Sequence, residues 1–207
     1  MKSLKLKCSV EQNVFFTADS HFYHNRDFVW KARGYSSLYN HTDKVLEKIN
    51  ELVKYSDVMF HLGDFALNTS SEQFESLLSR INCQWVYYIN GNHNSRIQDV
   101  YRKTILEQFG KDDINVYPIK YRNIIFVGDY LEVEIDKQTI ILSHYPLYSW
   151  NHMNHGAWHC FGHIHSEKDV SVGKSIDVGW DQHKKPVSFQ ELKQIMDKKS
   201  IKSEGHH

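Results

Sequence analysis

The stretch Asn13-Val-Phe-Phe-Thr-Ala-Asp-Ser-His21 joins a short apolar run, residues 13–17, to an aspartate and a histidine that follow it closely. Similar apolar runs at 57–61, 84–89, 139–143 and 158–161 lead into the blocks Gly63-Asp64, Gly91-Asn92-His93, His144 and Gly162-His163-Ile-His165. Each run has the length and apolar content of a buried strand. Open α/β structures place their sites where such strands end, so we expect these polar blocks to share one edge of a sheet.

Apolar residues at helical spacing separate the first three runs. Val45, Leu46 and Ile49 share one helix face, Ser70-Ser-Glu-Gln73 is a capping box that opens a second helix, and a third helix is predicted over residues 95–109. Residues 20–40 are predicted to form a long polar and aromatic loop. Alternating strands and helices favour a parallel sheet covered by helices.

After residue 116 short strands predominate. They are predicted at 124–127, 130–135, 139–143, 158–161 and 175–178. A last helix begins at a second capping box, Ser188-Phe-Gln-Glu191, and runs to about residue 198. A helix-rich first half and a strand-rich second half predict an α/β fold of two sheets packed face to face with helices outside.

Length and composition are those of one globular domain. The chain has 207 residues with no linker-like segment, so we expect a single domain over 1–203; residues 204–207, Glu-Gly-His-His, are typical of an expression-tag remnant. The 25 basic and 25 acidic residues balance, which argues against a broad nucleic-acid-binding surface without excluding nucleic acid.

Cysteine usage and hydropathy predict a cytoplasmic protein. Cys8, Cys83 and Cys160 are odd in number and far apart, which favours a reducing compartment over a disulfide framework or a thiolate zinc site. The N-terminal residues alternate lysine with apolar residues and lack an apolar stretch of signal-peptide length. No segment approaches the ~20 apolar residues of a membrane helix, so no membrane partner is expected.

The ordered set D-x-H, G-D, G-N-H, a lone histidine after a strand, and G-H-x-H runs from Asp19 to His165. It resembles the calcineurin-like metallophosphoesterase superfamily, in a small single-domain form. The resemblance implies a four-layer α/β/β/α sandwich of two mixed sheets flanked by helices, with a dinuclear metal site at the strand ends. It also implies hydrolysis of phosphodiester or phosphomonoester bonds by a hydroxide that bridges two metal ions.

The family pattern implies seven metal ligands. They are Asp19, His21 and His165 for one metal, Asn92, His144 and His163 for the other, and Asp64 as the bridge between the two. In an extended strand His163 and His165 would point to the same face. Imidazole, carboxylate and amide donors suit manganese, iron, zinc or nickel better than calcium, so two divalent ions of this group are the expected cofactors.

The resemblance also makes His93 the general acid that protonates the leaving oxygen. An acidic residue usually follows this histidine in the family, whereas this chain has Asn94, an amide that can orient His93 but adds little charge. Asp177 and Asp181 are candidate hydrogen-bond partners of ligand histidines, as Asn94 is of His93. The glycines that precede three ligands, Gly63, Gly91 and Gly162, are expected in turns with positive φ.

His24, Asn25 and Arg26 follow the first ligands and are candidate substrate-binding residues, because an arginine there could pair with a phosphate oxygen. The alternative is an ordinary solvated loop. Little chain remains for a cap domain, which favours a phosphodiesterase or a broad phosphoesterase that acts on small phosphate esters. Nuclease and phosphoprotein phosphatase activities are alternatives within this class, and a catalytically silent metal-binding scaffold is the alternative outside it. The oligomeric state stays open.

Overall fold

The structure is a computed structural model that describes residues 3–6, 12–93, 95–110, 118–165 and 168–202. The strands in these ranges are β1 (Ser3–Leu6), β2 (Val14–Thr17), β3 (Val58–Leu62), β4 (Trp85–Ile89), β5 (Ile119–Tyr121), β6 (Ile124–Gly128), β7 (Tyr130–Ile135), β8 (Gln138–Ser143), β9 (Trp158–Phe161), β10 (Ser175–Asp177) and β11 (Val187–Ser188). The α-helices are α1 (Asp27–Ala32), α2 (Leu38–Leu52), α3 (Ser71–Arg80), α4 (Ser95–Phe109), α5 (Trp180–His183) and α6 (Phe189–Met196).

The strands form two mixed sheets. One has the order β11-β2-β3-β4-β6-β5 and the other the order β1-β7-β8-β9-β10. In the first sheet β2, β3, β4 and β6 are parallel neighbours, as the alternation of strands and helices predicts. The predicted class, α/β with two mixed sheets and helices, is confirmed. Parallel order matters for the site because it brings the carboxyl ends of β2, β3 and β4 to the same edge.

The two sheets share one apolar core because alternate side chains of each strand point to opposite faces. Phe16 and Phe60 are fully buried, stack with ring centroids 5.4 Å apart, and belong to the same cluster as Val133 and Leu142 of the other sheet. Burying such a phenyl ring stabilises the fold by roughly 2–3 kcal/mol. Truncating Phe60 to alanine would cost about 3–5 kcal/mol, since a cavity would remain between the sheets.

The opposite face of the six-stranded sheet packs against helices. Ile49 of α2, Leu77 of α3 and Ile97 of α4 are each fully buried in a cluster that also holds Met59 and Tyr88 from the sheet. Both predicted capping boxes are present, with Ser70 opening α3 and Ser188 opening α6. Each box satisfies backbone N–H groups that would otherwise lack partners at the helix start.

The outer face of the five-stranded sheet differs from the expectation of helices outside both sheets. Its cluster consists of Ile141 of β8 together with Trp150, Met153 and Ala157. These last three residues lie in a loop whose regular structure is a single 3-10 turn, Met153–His155. Apolar residues at irregular spacing can cover a sheet face without forming an amphipathic helix.

Residues 20–40 are not a continuous loop, contrary to the prediction. They contain the short helix α1, and α2 begins inside the segment at Leu38, with the Ser37 side chain accepting a hydrogen bond from the Asn40 N–H. Helix α1 buries a single residue, Val29, so it has no periodic apolar face for the sequence to display. None of the helices in the described ranges is long and apolar enough to cross a membrane.

Candidate metal centre

The polar blocks at the strand ends meet because the turns that carry them bond to one another. The Asp19 N–H donates to the Gly63 carbonyl at 3.0 Å, and the His21 N–H donates to the Asp64 carbonyl at 3.0 Å. On the other sheet the Gly162 N–H donates to the His144 carbonyl at 2.9 Å. These backbone bonds set the positions of the side chains before any ligand arrives.

Five of the seven predicted ligands have a left-handed backbone, which costs an ordinary residue of order 1 kcal/mol or more. Their φ angles are 57° at Asp19, 49° at His21, 53° at Asp64, 74° at His163 and 49° at His165. The two histidines of G-H-x-H therefore lie in a turn after β9, and the expectation that an extended strand aims both of them is wrong. Backbone strain of this kind is concentrated at functional sites, where the direction of a side chain must be fixed.

The three glycines that precede ligands have two different physical roles. Gly63 has the expected positive φ, at 92°. Gly91 and Gly162 lie outside the left-handed region, so the turn explanation is wrong for them. A Cβ at Gly91 would lie 2.2 Å from Asp64 Oδ1, and one at Gly162 would lie 2.5 Å from Asp19 Oδ2. These two glycines are needed because a ligand carboxylate packs directly against the backbone.

The first ligand set is Asp19, His21 and His165, whose ligand atoms all lie within 4.8 Å of one another. Asp19 is fully buried, and among the described residues its Oδ1 has no hydrogen-bond partner. Burial raises the pKa of Asp19 to about 8 and lowers the pKa of His21 well below its usual value. A buried carboxyl oxygen without a partner is costly, and a bound cation would compensate it.

The second set is Asn92, His144 and His163. His144 donates from Nδ1 to the Leu62 carbonyl at 2.7 Å, which leaves a lone pair on its Nε2. That Nε2 lies 2.8 Å from Asn92 Oδ1, and the same oxygen lies 2.9 Å from His163 Nδ1. Burial lowers the pKa of His144 and so favours its neutral form. Electron-pair donors at this spacing favour a cation between them.

Asp64 lies between the two sets. Its Oδ2 is 3.7 Å from His21 Nε2, its Oδ1 is 3.7 Å from His144 Nε2, and Oδ1 also accepts a hydrogen bond from the His93 N–H at 2.8 Å. Asp19 also reaches toward the second set, because its ligand atom lies within 4.8 Å of those of Asp64 and His144. The arrangement therefore places two carboxylates, rather than one, near the midline of the site.

Asp181 and Arg33 support the first ligand set through hydrogen bonds. His165 donates from Nδ1 to Asp181 Oδ2 at 2.7 Å, and Arg33 donates to both oxygens of Asp181, at 2.9 and 2.7 Å. Burial opposes ionisation of Asp181, but hydrogen bonds from His165 and Arg33 hold its pKa below the usual value. The same carboxylate raises the pKa of His165. Bonding at Nδ1 directs His165 Nε2 toward the site.

Arg33 was not identified from the sequence. Its side chain is only 2% exposed and donates to the Asp19 carbonyl at 2.7 Å and the Ser20 carbonyl at 3.1 Å, in addition to its ion pair with Asp181. It follows α1 directly, outside every polar block. Its fixed positive charge beside buried carboxylates is visible only once the chain is folded.

The remaining predicted partners divide into two groups. Asp181 contacts a ligand histidine, as just described, whereas Asp177 Oδ1 accepts a hydrogen bond from the Gly179 N–H at 2.7 Å. Gly179 approaches Asp19 so closely that a Cβ there would lie 2.9 Å from Asp19 Oδ2. Asp177 thus shapes the backbone beside a ligand. Asn94 lies outside the described residues.

His93 lies beside the candidate metal-ligand atoms and is exposed to solvent. Its ring centroid lies 5.8 Å from that of His21 and 6.1 Å from that of His24. Its backbone bond to Asp64 ties its position to the carboxylate at the midline. An exposed imidazole tethered next to the ligands can reach a substrate bound there.

A cavity of about 690 Å³ opens next to His93 and reaches His21 and His165. His24 and Arg26 line it, as expected for substrate-binding residues, and Asn25 is not part of its lining. Asn25 is exposed and accepts a hydrogen bond from Asn68 Nδ2 at 3.1 Å. His24 is buried, with Nδ1 accepting from the Arg26 N–H at 3.2 Å, and burial lowers its pKa to about 4.

Comparison with known proteins shows a fold shared with solved structures. No family model matches the chain. It is 22% identical over 201 residues to the uncharacterized protein MJ1445 of Methanocaldococcus jannaschii, covering 92% of this chain and 94% of that protein. It also resembles the crystal structure of AQ665, a protein of unknown function from Aquifex aeolicus, with a TM-score of 0.63 and 17% identity over 89% of this chain and 100% of that one.

Proposed function

We propose that this protein is a two-metal phosphoesterase of the calcineurin-like metallophosphoesterase superfamily. The observation that carries the proposal is the convergence of carboxylate, imidazole and amide ligand atoms on two adjacent points. Asp19 Oδ1 is buried and has no hydrogen-bond partner in the part of the chain that the structure describes, and His144 Nε2 lies 2.8 Å from Asn92 Oδ1. Asp64 presents one oxygen to each set.

The residues fit a pair of divalent cations. Carboxylate, imidazole and amide donors suit manganese, iron, zinc or nickel. His144 is held by the Leu62 carbonyl and His165 by Asp181, the outer hydrogen bonds that fix the orientation of metal-binding histidines. Bound in this site, two such ions supply Lewis acidity and an activated water for attack on phosphorus.

The chain itself contributes a proton and positive charge. His93 is exposed beside the ligands, where its imidazole can give a proton to the leaving oxygen as the phosphorus–oxygen bond breaks. Arg26, at the wall of the cavity, can pair with a phosphate oxygen. Arg33 is occupied by Asp181 and two backbone carbonyls, so it orders the site rather than the substrate.

The proposed substrate is a small phosphate ester in the cytoplasm. Cys83 and Cys160 are buried free thiols, as a reducing compartment allows. The cavity beside His93 is open to small molecules, and the neutral overall charge does not favour a nucleic-acid polymer.

The direct test is metal-dependent hydrolysis. Metal-free protein would be supplied singly with manganese, iron, nickel or zinc and assayed on bis-p-nitrophenyl phosphate and p-nitrophenyl phosphate. We expect turnover that needs metal, and the ratio of the two activities decides between diesterase and monoesterase. An Asp64→Ala variant purified in parallel reports contaminating phosphatase. If no metal restores turnover of either ester, the phosphoesterase proposal is wrong and a metal-binding scaffold replaces it.

A further inference from the structure

The cavity beside the candidate metal centre adjoins the first ligand set rather than the second. Its lining includes His21, His165 and His93 but none of Asn92, His144 or His163. The space for a substrate therefore extends away from the first ligand set, on the side where His93 stands. A group that lies there is next to the proposed proton donor.

Part of the lining of this cavity is apolar and aromatic. Val29 and Leu67 line it together with Phe28, whose side chain is 69% exposed. The Phe28 ring meets the buried His24 ring nearly at right angles, with centroids 5.9 Å apart. With 69% of its side chain exposed, Phe28 is accessible to a planar group bound in the cavity. His24 in turn lies edge-on to His21, with centroids 5.1 Å apart.

The volume of the cavity exceeds what a phosphate group needs. At about 690 Å³ it falls within the range of roughly 300–1,000 Å³ that is usual for sites of drug-sized ligands. Arg26, Arg33, Asn68 and Asp181 also line it and supply charged and polar hydrogen-bonding groups. Apolar walls with a few polar groups are typical of sites that hold an organic substituent.

From these observations, and resting on the proposed phosphoesterase function, we infer that the cavity holds the leaving group of the substrate and that this group carries a planar aromatic ring, as a nucleoside does. The ring stacks on Phe28 while the ester oxygen lies near His93. Water adds to phosphorus, the bond to the leaving oxygen breaks, and His93 gives that oxygen its proton. The substrate class is a nucleoside or aryl phosphate ester.

Binding of two phosphonates to the metal-loaded protein tests this inference. Phenylphosphonate carries a ring and methylphosphonate does not, while both have the same anionic group. Phe28→Ala is expected to raise the Kd of phenylphosphonate about tenfold, because the variant loses the aromatic side chain on which the ring of the ligand stacks. The Kd of methylphosphonate should change less than about twofold, and Phe28→Trp should retain phenylphosphonate binding. Isothermal titration calorimetry measures all of these constants.

The matched control is Tyr55→Ala, which removes another exposed aromatic side chain, 66% exposed and absent from the cavity lining. This variant should bind both phosphonates as the parent protein does. Equal Kd changes for the two phosphonates with Phe28→Ala, or no change for either, would overturn the inference.

Parallel hydrolysis assays separate the inference from the function on which it rests. If hydrolysis depends on metal but Phe28→Ala has no selective effect on phosphonate binding, the phosphoesterase function is supported and the leaving-group site is wrong. If neither hydrolysis nor metal-dependent binding of either phosphonate is detected, the phosphoesterase function and the leaving-group site are both wrong. A selective loss of phenylphosphonate affinity together with turnover supports both.

Discussion

The two ligand sets of the candidate metal centre are built differently. In the first set Asp19 is fully buried and His21 is 2% exposed, and a partly buried ion pair between Arg33 and Asp181 supports His165. In the second set Asn92 is exposed, and the outer hydrogen bond runs from His144 to a backbone carbonyl. Because charged side chains support the first set whereas a backbone carbonyl supports the second, we expect the metal of the first set to bind more tightly.

The largest expected effect comes from the residue that the two sets share. Asp64→Ala should reduce bound metal from about two ions per chain to near zero and lower turnover by at least ~10³-fold, because each carboxyl oxygen faces a different set. Plasma mass spectrometry of the purified protein measures the metal. Retention of two ions would show that Asp64 does not join the sets.

His93→Ala should separate catalysis from metal binding. We expect two ions per chain to remain while turnover falls about 10²–10⁴-fold, the usual contribution of a general acid. The loss should be smaller for p-nitrophenyl esters than for alkyl esters, because p-nitrophenolate leaves without a proton. Loss of metal as complete as in Asp64→Ala would make His93 a ligand and the assignment of a general acid wrong.

Removing the ion pair that supports the first set should weaken binding of one metal ion and leave binding of the other unchanged. Arg33→Met or Asp181→Asn is expected to lower the affinity of the tighter ion about 10–100-fold, as loss of an outer hydrogen bond to a metal-binding histidine does. Competition with a chelator measures both affinities. Lys184→Met is the control, because Lys184 lies 3.6 Å from the same carboxylate but is 57% exposed. Equal weakening of both ions would contradict the difference between the sets.

The smallest effect concerns the stability of metal-free protein. The pKa of Asp19 is raised from 3.8 to about 8 by burial, so between these values the unfolded chain has lost a proton that the folded chain keeps. Stability contributed by this group is full below pH 4 and is lost as pH rises toward 8. Asp19→Asn should therefore raise the free energy of unfolding relative to the parent by about 1–3 kcal/mol more at pH 8 than at pH 5.

Urea unfolding at the two pH values, with metal removed, measures this difference. Asp136→Asn serves as the control because Asp136 is exposed, in the turn between β7 and β8. Its variant should track the parent at both pH values. If the effect of Asp19→Asn did not depend on pH, the pKa of Asp19 would not be raised, which would mean that water reaches this carboxyl group in the metal-free protein.

Local patterns in the sequence predicted much of the framework. The short apolar runs around Phe16 and Phe60 predicted buried strands, and the boxes at Ser70 and Ser188 predicted helix starts that the structure contains. Both signals depend on neighbours a few residues apart, which a sequence displays directly. The two-residue strand β11 was not predicted, since pairing with the distant strand β2 defines it, and the three-residue strand β5, which pairs with the adjacent β6, is too short to show a pattern.

The candidate site likewise combines features that local sequence patterns predicted with features that depend on the folded chain. Sequence by itself determined which donor residues follow which strands, because ligand type and order are local properties. Only the tertiary structure decided that Arg33 braces Asp181, that Gly91 and Gly162 admit carboxylates, and that Phe28 lines the cavity by His93. These relations depend on atoms far apart in the chain that burial and backbone strain bring within a few ångströms, and no local pattern encodes such distances.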